Sequence, residues 1–349
     1  MQVPAQQAPA PPQVPATEKA HRRLALSAGL RLVRLGPVLI LAVIALVMSI
    51  ATPDFFTAGN IANIGTQASV VAILALGQFM VILTQGIDLS VGSTLSLSTV
   101  VGAMLTVNLG WQAGAVFGML LVGVVVGFVN GFVFVTWKIP HPFIVTLGML
   151  NVAGGLALLL SGGSAILGAP EMTLPLGSGS VLGIPAVVIF CAVLAALAYV
   201  FTSRVKLGQW LYALGGNPEG AKRAGIPTKK VLIATYTISG FFAACAALVI
   251  VGRTDSGYPT AGLGLELDSI AAVIIGGASF FGGRGSIGNV IVGALILGVI
   301  RNGLNLLNVS SFWQQIAIGF ILVAAVGIDV VRTRIEKRIR TAEAKVLAS

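Results

Sequence analysis

Apolar residues in this chain come in long unbroken runs instead of alternating with polar ones, and the polar residues collect in short breaks between them. No charged residue falls between Ile61 and Ile87, between Ser90 and Leu109, or between Gly110 and Trp137. An α-helix rises about 1.5 Å per residue, so about 20 such residues cross a hydrocarbon core roughly 30 Å thick. Ten runs of this kind occur, over about 32–51, 62–84, 91–108, 113–136, 142–161, 181–202, 230–251, 267–282, 287–305 and 313–331. Each reads as a membrane-spanning helix. The eighth is short and glycine-rich (SIAAVIIGGASFFGG), which suits a tilted, broken or shallow segment better than a regular rod. Gly92 and Gly102 interrupt the third in the same way.

Composition agrees and excludes a soluble protein. Of 349 residues, 56% are hydrophobic and only 9% charged. A water-facing surface needs far more charge than that. No stretch outside the runs is long enough for a separate catalytic domain. The net charge of +10 sits beside the apolar runs, so its partner is anionic lipid and not nucleic acid. With the N-terminus in the cytoplasm, ten spans put nineteen of the 21 Lys and Arg on the inner side, leaving Arg253 and Arg301 outside. That bias is the one the positive-inside rule demands, and it makes both termini cytoplasmic. Residues 1–31 read as a disordered, basic cytoplasmic tail, opening on a Pro-, Gln- and Ala-rich stretch, and 332–349 as a second basic tail. The outer breaks are neutral or acidic, and the longest, 162–180, reads as a connector, a short hairpin or an irregular cap. Cys191 and Cys245 lie inside apolar runs and read as small buried hydrophobes.

Within the 32–331 membrane domain, the cytoplasmic segment 206–230 carries the clearest local signals. Two short helices are expected either side of Gly215-Gly216. Asn217 can cap the second, with Pro218 at its first position, Glu219 in its first turn, small Ala221 and Ala224, and Gly225 to end it. Such a helix, held between two spans, can insert into a groove on another protein or lie on lipid. Gly118, Gly123 and Gly127, like Gly293 and Gly298, space their helices for close backbone approach. Polar residues inside the runs are costly and so more telling. Gln67, Asn151, Asn289 and Asn305, with Phe79 as an apolar face, are candidates for a solute pathway. Neutral amides suit a polyhydroxy solute, which offers donors and acceptors without demanding a counter-charge. Asp88, in QGIDLSVG near the inner surface, can cap the next helix or pair with Arg284 as a structural lock. Asp268 opens a helix, where the dipole favours a carboxylate. Gly92, Asp268 and Arg284 join Asp88 as structural or gating candidates. No HExxH, CxxC or phosphate-loop GK[ST] occurs, so no metal, catalytic or nucleotide site is expected in this chain.

Three segments together carry a resemblance. TQGIDLSVGS (84–93), ALGGNPEGAKRAGI (213–226) and GGASFFGGRGSIGNVIVGALILGVIRNGLNLL (276–307) resemble the membrane permeases of bacterial ribose/xylose/galactose-type ABC importers. The resemblance covers roughly 35–331. It implies an all-α, ten-helix permease of the bacterial plasma membrane, similar in fold to vitamin B12-type importer permeases. It also implies a second permease copy, an extracytoplasmic sugar-binding protein, and a partner ATPase that holds ATP and Mg²⁺, so that this chain is not itself an enzyme. By the same resemblance Asn217–Gly225 is the coupling helix that docks on the ATPase, and a monosaccharide crosses by alternating access. Polyols, a furanosyl signal molecule or a branched-chain amino acid are alternative solutes. An ion-coupled secondary transporter is a different class, which would need an intramembrane carboxylate or ion cage.

Overall fold

A computed structural model describes residues 35–348. The tail expected at 1–31 lies outside the described residues. In chain order the helices are α1 (Leu35–Ala51), α2 (Ala58–Leu83), α3 (Val91–Leu109), α4 (Gln112–Thr136) and α5 (Pro142–Ser161). Then come α6 (Leu174–Ser178), α7 (Ala186–Arg204), α8 (Lys206–Gly216), α9 (Pro218–Arg223) and α10 (Thr228–Thr254). The last are α11 (Leu265–Ile275), α12 (Ile287–Leu306) and α13 (Ser311–Ala348). Eight of them are long and apolar enough to cross a membrane: α2, α3, α4, α5, α7, α10, α12 and the Ser311–Val331 part of α13. The protein is therefore an all-α polytopic membrane protein. α1 is shorter, and α11 has 11 residues.

The eighth apolar run shows why sequence length and helix length differ. α11 stops at Ile275 because the next residues cannot continue it. Gly277, Gly282, Gly283 and Gly285 all take positive φ, a region closed to most side chains, and form an irregular turn over 276–286. α13, by contrast, does not stop at the expected end of its span. It continues as one helix of 38 residues through Ala348, about 57 Å at helical rise, so the segment expected as a tail is helical.

α2 is the centre of the bundle. Every residue from Ala68 to Leu83 is buried, enclosed by α7, α10, α11 and α12. Its apolar surface on all sides suits a helix packed all round. α5 and the spanning part of α13 lie at the periphery, with most of their side chains exposed. The closest helix pair is α4 with α10. A Cβ on Gly123, Gly127 or Gly131 would strike the backbone of Gly240, Tyr236 or Ile233, so the two helices meet backbone to backbone. Gly118, expected in the same row, faces Leu105 of α3 instead. Its offset of five from Gly123 turns it off the α10 face, while Gly131 completes the row at spacing four.

At one end of the bundle, the long break forms a cap. Ile166-Leu167 pairs with Ser256-Gly257 as a two-residue ladder, and Ala169 N–H donates to Asp255 Oδ1 at 2.8 Å. α6 lies across the end of α10, where Gly177 and Gly252 leave no room for a Cβ. A hairpin, Ser180-Val181 with Ile184-Pro185, follows. Cys191 and Cys245 are both free and buried, as expected of small hydrophobes.

Candidate functional site

The 206–230 segment forms two short helices, as expected, but the break falls at Asn217 and not at the two glycines, which close α8. α9 has both of its ends specified. Asn217 Oδ1 accepts from Gly220 N–H at 2.9 Å, and Pro218 occupies the first turn, where its missing N–H costs nothing. At the other end Gly225 takes φ +80°, so that Ile226 N–H reaches Ala221 O and Gly225 N–H reaches Lys222 O, both at 3.1 Å. This is the paired closing bond of a Schellman motif. Ala221 is buried against the body of the protein, while Asn217, Pro218, Glu219, Lys222, Arg223, Ala224 and Gly225 are exposed. α9 is thus a short, rigid knob facing outward from the bundle.

What lies behind the knob is a joint made of glycine. A Cβ on Gly215 would collide with Leu83 O at the end of α2 and with Gly283 N in the α11–α12 turn. Gly215 O accepts from Gln85 Nε2–H at 2.7 Å, and Gly283 N–H donates to Leu83 O at 2.9 Å. A Cβ on Gly282 would press on Gln85, and one on Gly285 on Phe79. Tyr212 donates its hydroxyl to Gly285 O at 3.2 Å and sets its ring edge-on to Phe79 at 6.5 Å between centroids. Burial raises the Tyr212 pKa above the ordinary phenol value, so the hydroxyl remains a donor. The three segments 84–93, 213–226 and 276–307, far apart in sequence, therefore bring residues at or beside each of them to one point under α2. Arg284 is exposed within this turn. The peripheral helix is tied in as well: Asp329 on α13 accepts from Phe280 N–H at 3.0 Å and Ser279 Oγ–H at 3.5 Å. Sequence reasoning missed Asp329, although a lone acid near the end of an apolar run was a signal available to it.

Asp88 lies deeper than its expected place near the inner surface. Its carboxylate accepts from Ser90 N–H at 3.0 Å and Ser90 Oγ–H at 2.7 Å, and from Ser239 Oγ–H at 2.9 Å. Ser239 is 11 residues into α10, about 16 Å along its axis. The α2–α3 connection therefore dips into the bundle. Gln78 on α2 clamps it, with its amide oriented to donate to Asp88 O at 3.0 Å and accept from Asp88 N–H at 3.2 Å. Asn130 on α4 donates to Ser90 Oγ at 2.8 Å, and Thr146 on α5 to Ile87 O at 3.1 Å. Ser90 occupies the N-cap of α3 without a side-chain cap bond of its own, and the described side-chain partners of the Asp88 carboxylate are Ser90 and Ser239.

From the end of α10 the chain turns back along α3. Tyr258 N–H donates to Thr99 Oγ1 and Gly262 N–H to Ser96 Oγ, and Gly262 meets the backbone of Gly92, where no Cβ would fit. α11 starts there. Its Asp268, buried, forms an ion pair with Arg301 of α12 at 2.7 Å, and Asn302 exchanges two amide hydrogen bonds with Asn60 of α2, at 2.9 and 2.6 Å. Arg301, which stood out as a cation on the wrong side, has its counter-ion here.

The candidate pathway residues are spread through the bundle's height. Phe79 is fully buried in the glycine joint. Gln67 is half-buried on α2, and Asn151 is exposed on α5, donating to Leu147 O at 3.0 Å. Asn289, half-buried, opens α12, and Asn305 near its other end accepts from Gln314 at 2.7 Å. Sixteen residues, about 24 Å of helix, separate those two, so one small solute cannot touch both.

Residues 60–326 match the family model described as the permease component of branched-chain amino acid transport systems. The chain belongs to that family. The permease is 40% identical over 296 residues to the D-allose transport system permease protein of Escherichia coli (strain K12), covering 84% of this chain and 90% of that one. It is 37% identical over 294 residues to the ribose import permease protein of Haemophilus influenzae, covering 83% and 90% of the two chains. To the fructose import permease protein of Rhizobium meliloti it is 38% identical over 302 residues, covering 84% and 83%. No solved structure matches the permease.

Proposed function

We propose that this permease is the transmembrane subunit of an ATP-driven importer that carries a monosaccharide delivered by an extracytoplasmic binding protein. The observation that carries the reading is similarity along at least 83% of the chain to permeases named for allose and ribose. In this reading α1 and α11 complete a set of ten spans with the eight longer ones, and both termini are cytoplasmic, as the distribution of Lys and Arg requires. α9 is the coupling helix. Its knob seats in a partner ATPase that binds ATP and Mg²⁺, and the glycine joint passes the ATPase's movement to α2 and to the α11–α12 turn. Rigid caps at both ends of α9 support the role, since a loose element would absorb the stroke. The membrane domain then alternates between openings toward the binding protein and toward the cytoplasm.

A second copy of the permease completes the pathway. The middle of the protomer is filled by α2, and a cleft beside it of about 170 Å³, lined among others by Ala68, Ala72, Cys191 and Leu295, is apolar. It offers a sugar almost nothing to hydrogen-bond. A polar solute is better served by an exposed face enclosed by a partner copy, and the loosely packed α5, bearing Asn151, is such a face.

The family's description keeps a second solute in view, a branched-chain amino acid. Cells expressing the permease with its ATPase and binding protein are expected to accumulate labelled allose, ribose, xylose, galactose or fructose, and to accumulate it only when all three are present. Uptake of leucine without any sugar would transfer the reading to amino acids. Uptake by the permease alone would make it a secondary transporter.

A further inference from the structure

The Asp88 cluster holds more oxygen than its hydrogen bonds use. All three contacts made by the carboxylate are donors, two from Ser90 and one from Ser239. That arrangement accommodates the ionised form, since the Ser90 N–H can only donate and both hydroxyls can turn their protons toward the carboxylate. Asp88 is 1% exposed, and no Lys, Arg or His is among its described partners. The N-terminus of α3 offsets part of the cost of burying this charge, but one helix end does not neutralise it.

Two further oxygens point to what does. Asn130 is 1% exposed and its amide head is fixed in the cluster by the bond to Ser90 Oγ, yet its Oδ1 has no partner. Tyr236, also 1% exposed, lays a partnerless hydroxyl against Gly86, two residues before Asp88, where a Cβ would crowd it. The two residues are level with each other, since the backbone of Tyr236 packs on Gly127, one turn from Asn130. An unpaired polar atom sealed from water is costly, and two beside an uncompensated carboxylate share one remedy.

We propose that Asp88, Asn130 Oδ1 and the Tyr236 hydroxyl, with the hydroxyls of Ser90 and Ser239, bind a single Na⁺ ion inside the inner half of the bundle. Ligands that are all oxygen select a hard cation. One carboxylate balances one positive charge, whereas a divalent ion would leave excess charge in a low-dielectric interior. Among the described residues there is also no group of three His, Cys, Asp or Glu that would hold such an ion. The close approach of α4 and α10 favours the smaller alkali ion. The ion would tie α3, α4 and α10 together. It goes beyond the import reading and does not depend on it.

The test is thermal unfolding of the full-length permease in lipid nanodiscs, with NaCl replaced stepwise by N-methylglucamine chloride at constant ionic strength. The midpoint is expected to rise with Na⁺ and saturate, and Asp88→Asn is expected to abolish the rise. Tyr236→Phe decides between the ion and a plain hydrogen-bonded clasp. Its hydroxyl has no protein partner, so a clasp loses nothing when it goes, whereas a site losing one ligand should need about tenfold more Na⁺ for half-saturation. An unchanged sodium response in Tyr236→Phe, or no difference between the two salts in the parent protein, overturns the site. The measurement uses no sugar, ATPase or binding protein, so its failure and a failure of the import reading are separate results.

Discussion

At the scale of single residues, two neighbouring glycines have opposite meanings. Gly215 touches the backbone of α2 and of the α11–α12 turn, while a Cβ on Gly216 would meet nothing within contact distance. Gly215→Ala should overpack the joint, destabilising the protein by about 1–3 kcal/mol and sharply reducing uptake. Gly216→Ala, at the end of a helix, should leave uptake unchanged and gain up to about 1 kcal/mol. Unfolding midpoints and initial uptake rates of the two variants check this, and equal effects would remove the joint from the coupling route. Nothing in the string ALGGNPEG separates the pair, because their difference lies in what a distant segment places beside them. Asp88 teaches the same lesson. Its place just before the start of α3 was legible, but its depth was not, since depth depends on where Ser239 and Gln78 sit. The Asn217 cap was legible in full, because every atom it needs lies within four residues.

At the scale of elements, α9 and α11 are both short for stated reasons. α9 is bounded by a side-chain cap and a left-handed glycine, and each end can be weakened alone. Asn217→Ala should cost about 1 kcal/mol of local stability, and Gly225→Ala, at φ +80°, about 1–2 kcal/mol. If α9 couples to an ATPase, both variants should still reach the membrane in normal amount, yet copurify less ATPase and import less sugar per ATP hydrolysed. Normal copurification with a full transport ratio from both would argue that α9 is a connector on lipid. The sequence foretold that the α11 run would be irregular from its glycines. It did not reveal that the preceding residues, 258–264, run along α3, because that path is fixed by Ser96, Thr99 and Gly92 on a helix far earlier in the chain.

At the scale of the molecule, orientation is an expectation that rests on charge alone, because charge bias acts loop by loop and needs no tertiary contact. The structure supplies clean reporters for it. Cys191 and Cys245 are buried, so they give little background to an aqueous thiol reagent. Glu219→Cys on α9 is expected to react only from the cytoplasmic side of the membrane, and Leu182→Cys, at a site 99% exposed in the hairpin, only from outside. Impermeant maleimide applied to intact cells and to inverted vesicles distinguishes the two, and the reverse pattern would turn the whole protein over and take α9 away from any ATPase.

The glycine row between α4 and α10 sets a limit on how such a protein can move. Where main chains rest on one another with no side chain between them, there is no rotamer to flip and no gap to close, so the pair behaves as a single spar. Shape change is left to the elements hung around it. α5, α7 and the spanning part of α13 are held by fewer buried side chains, so a change of shape would fall to them while the spar keeps its form.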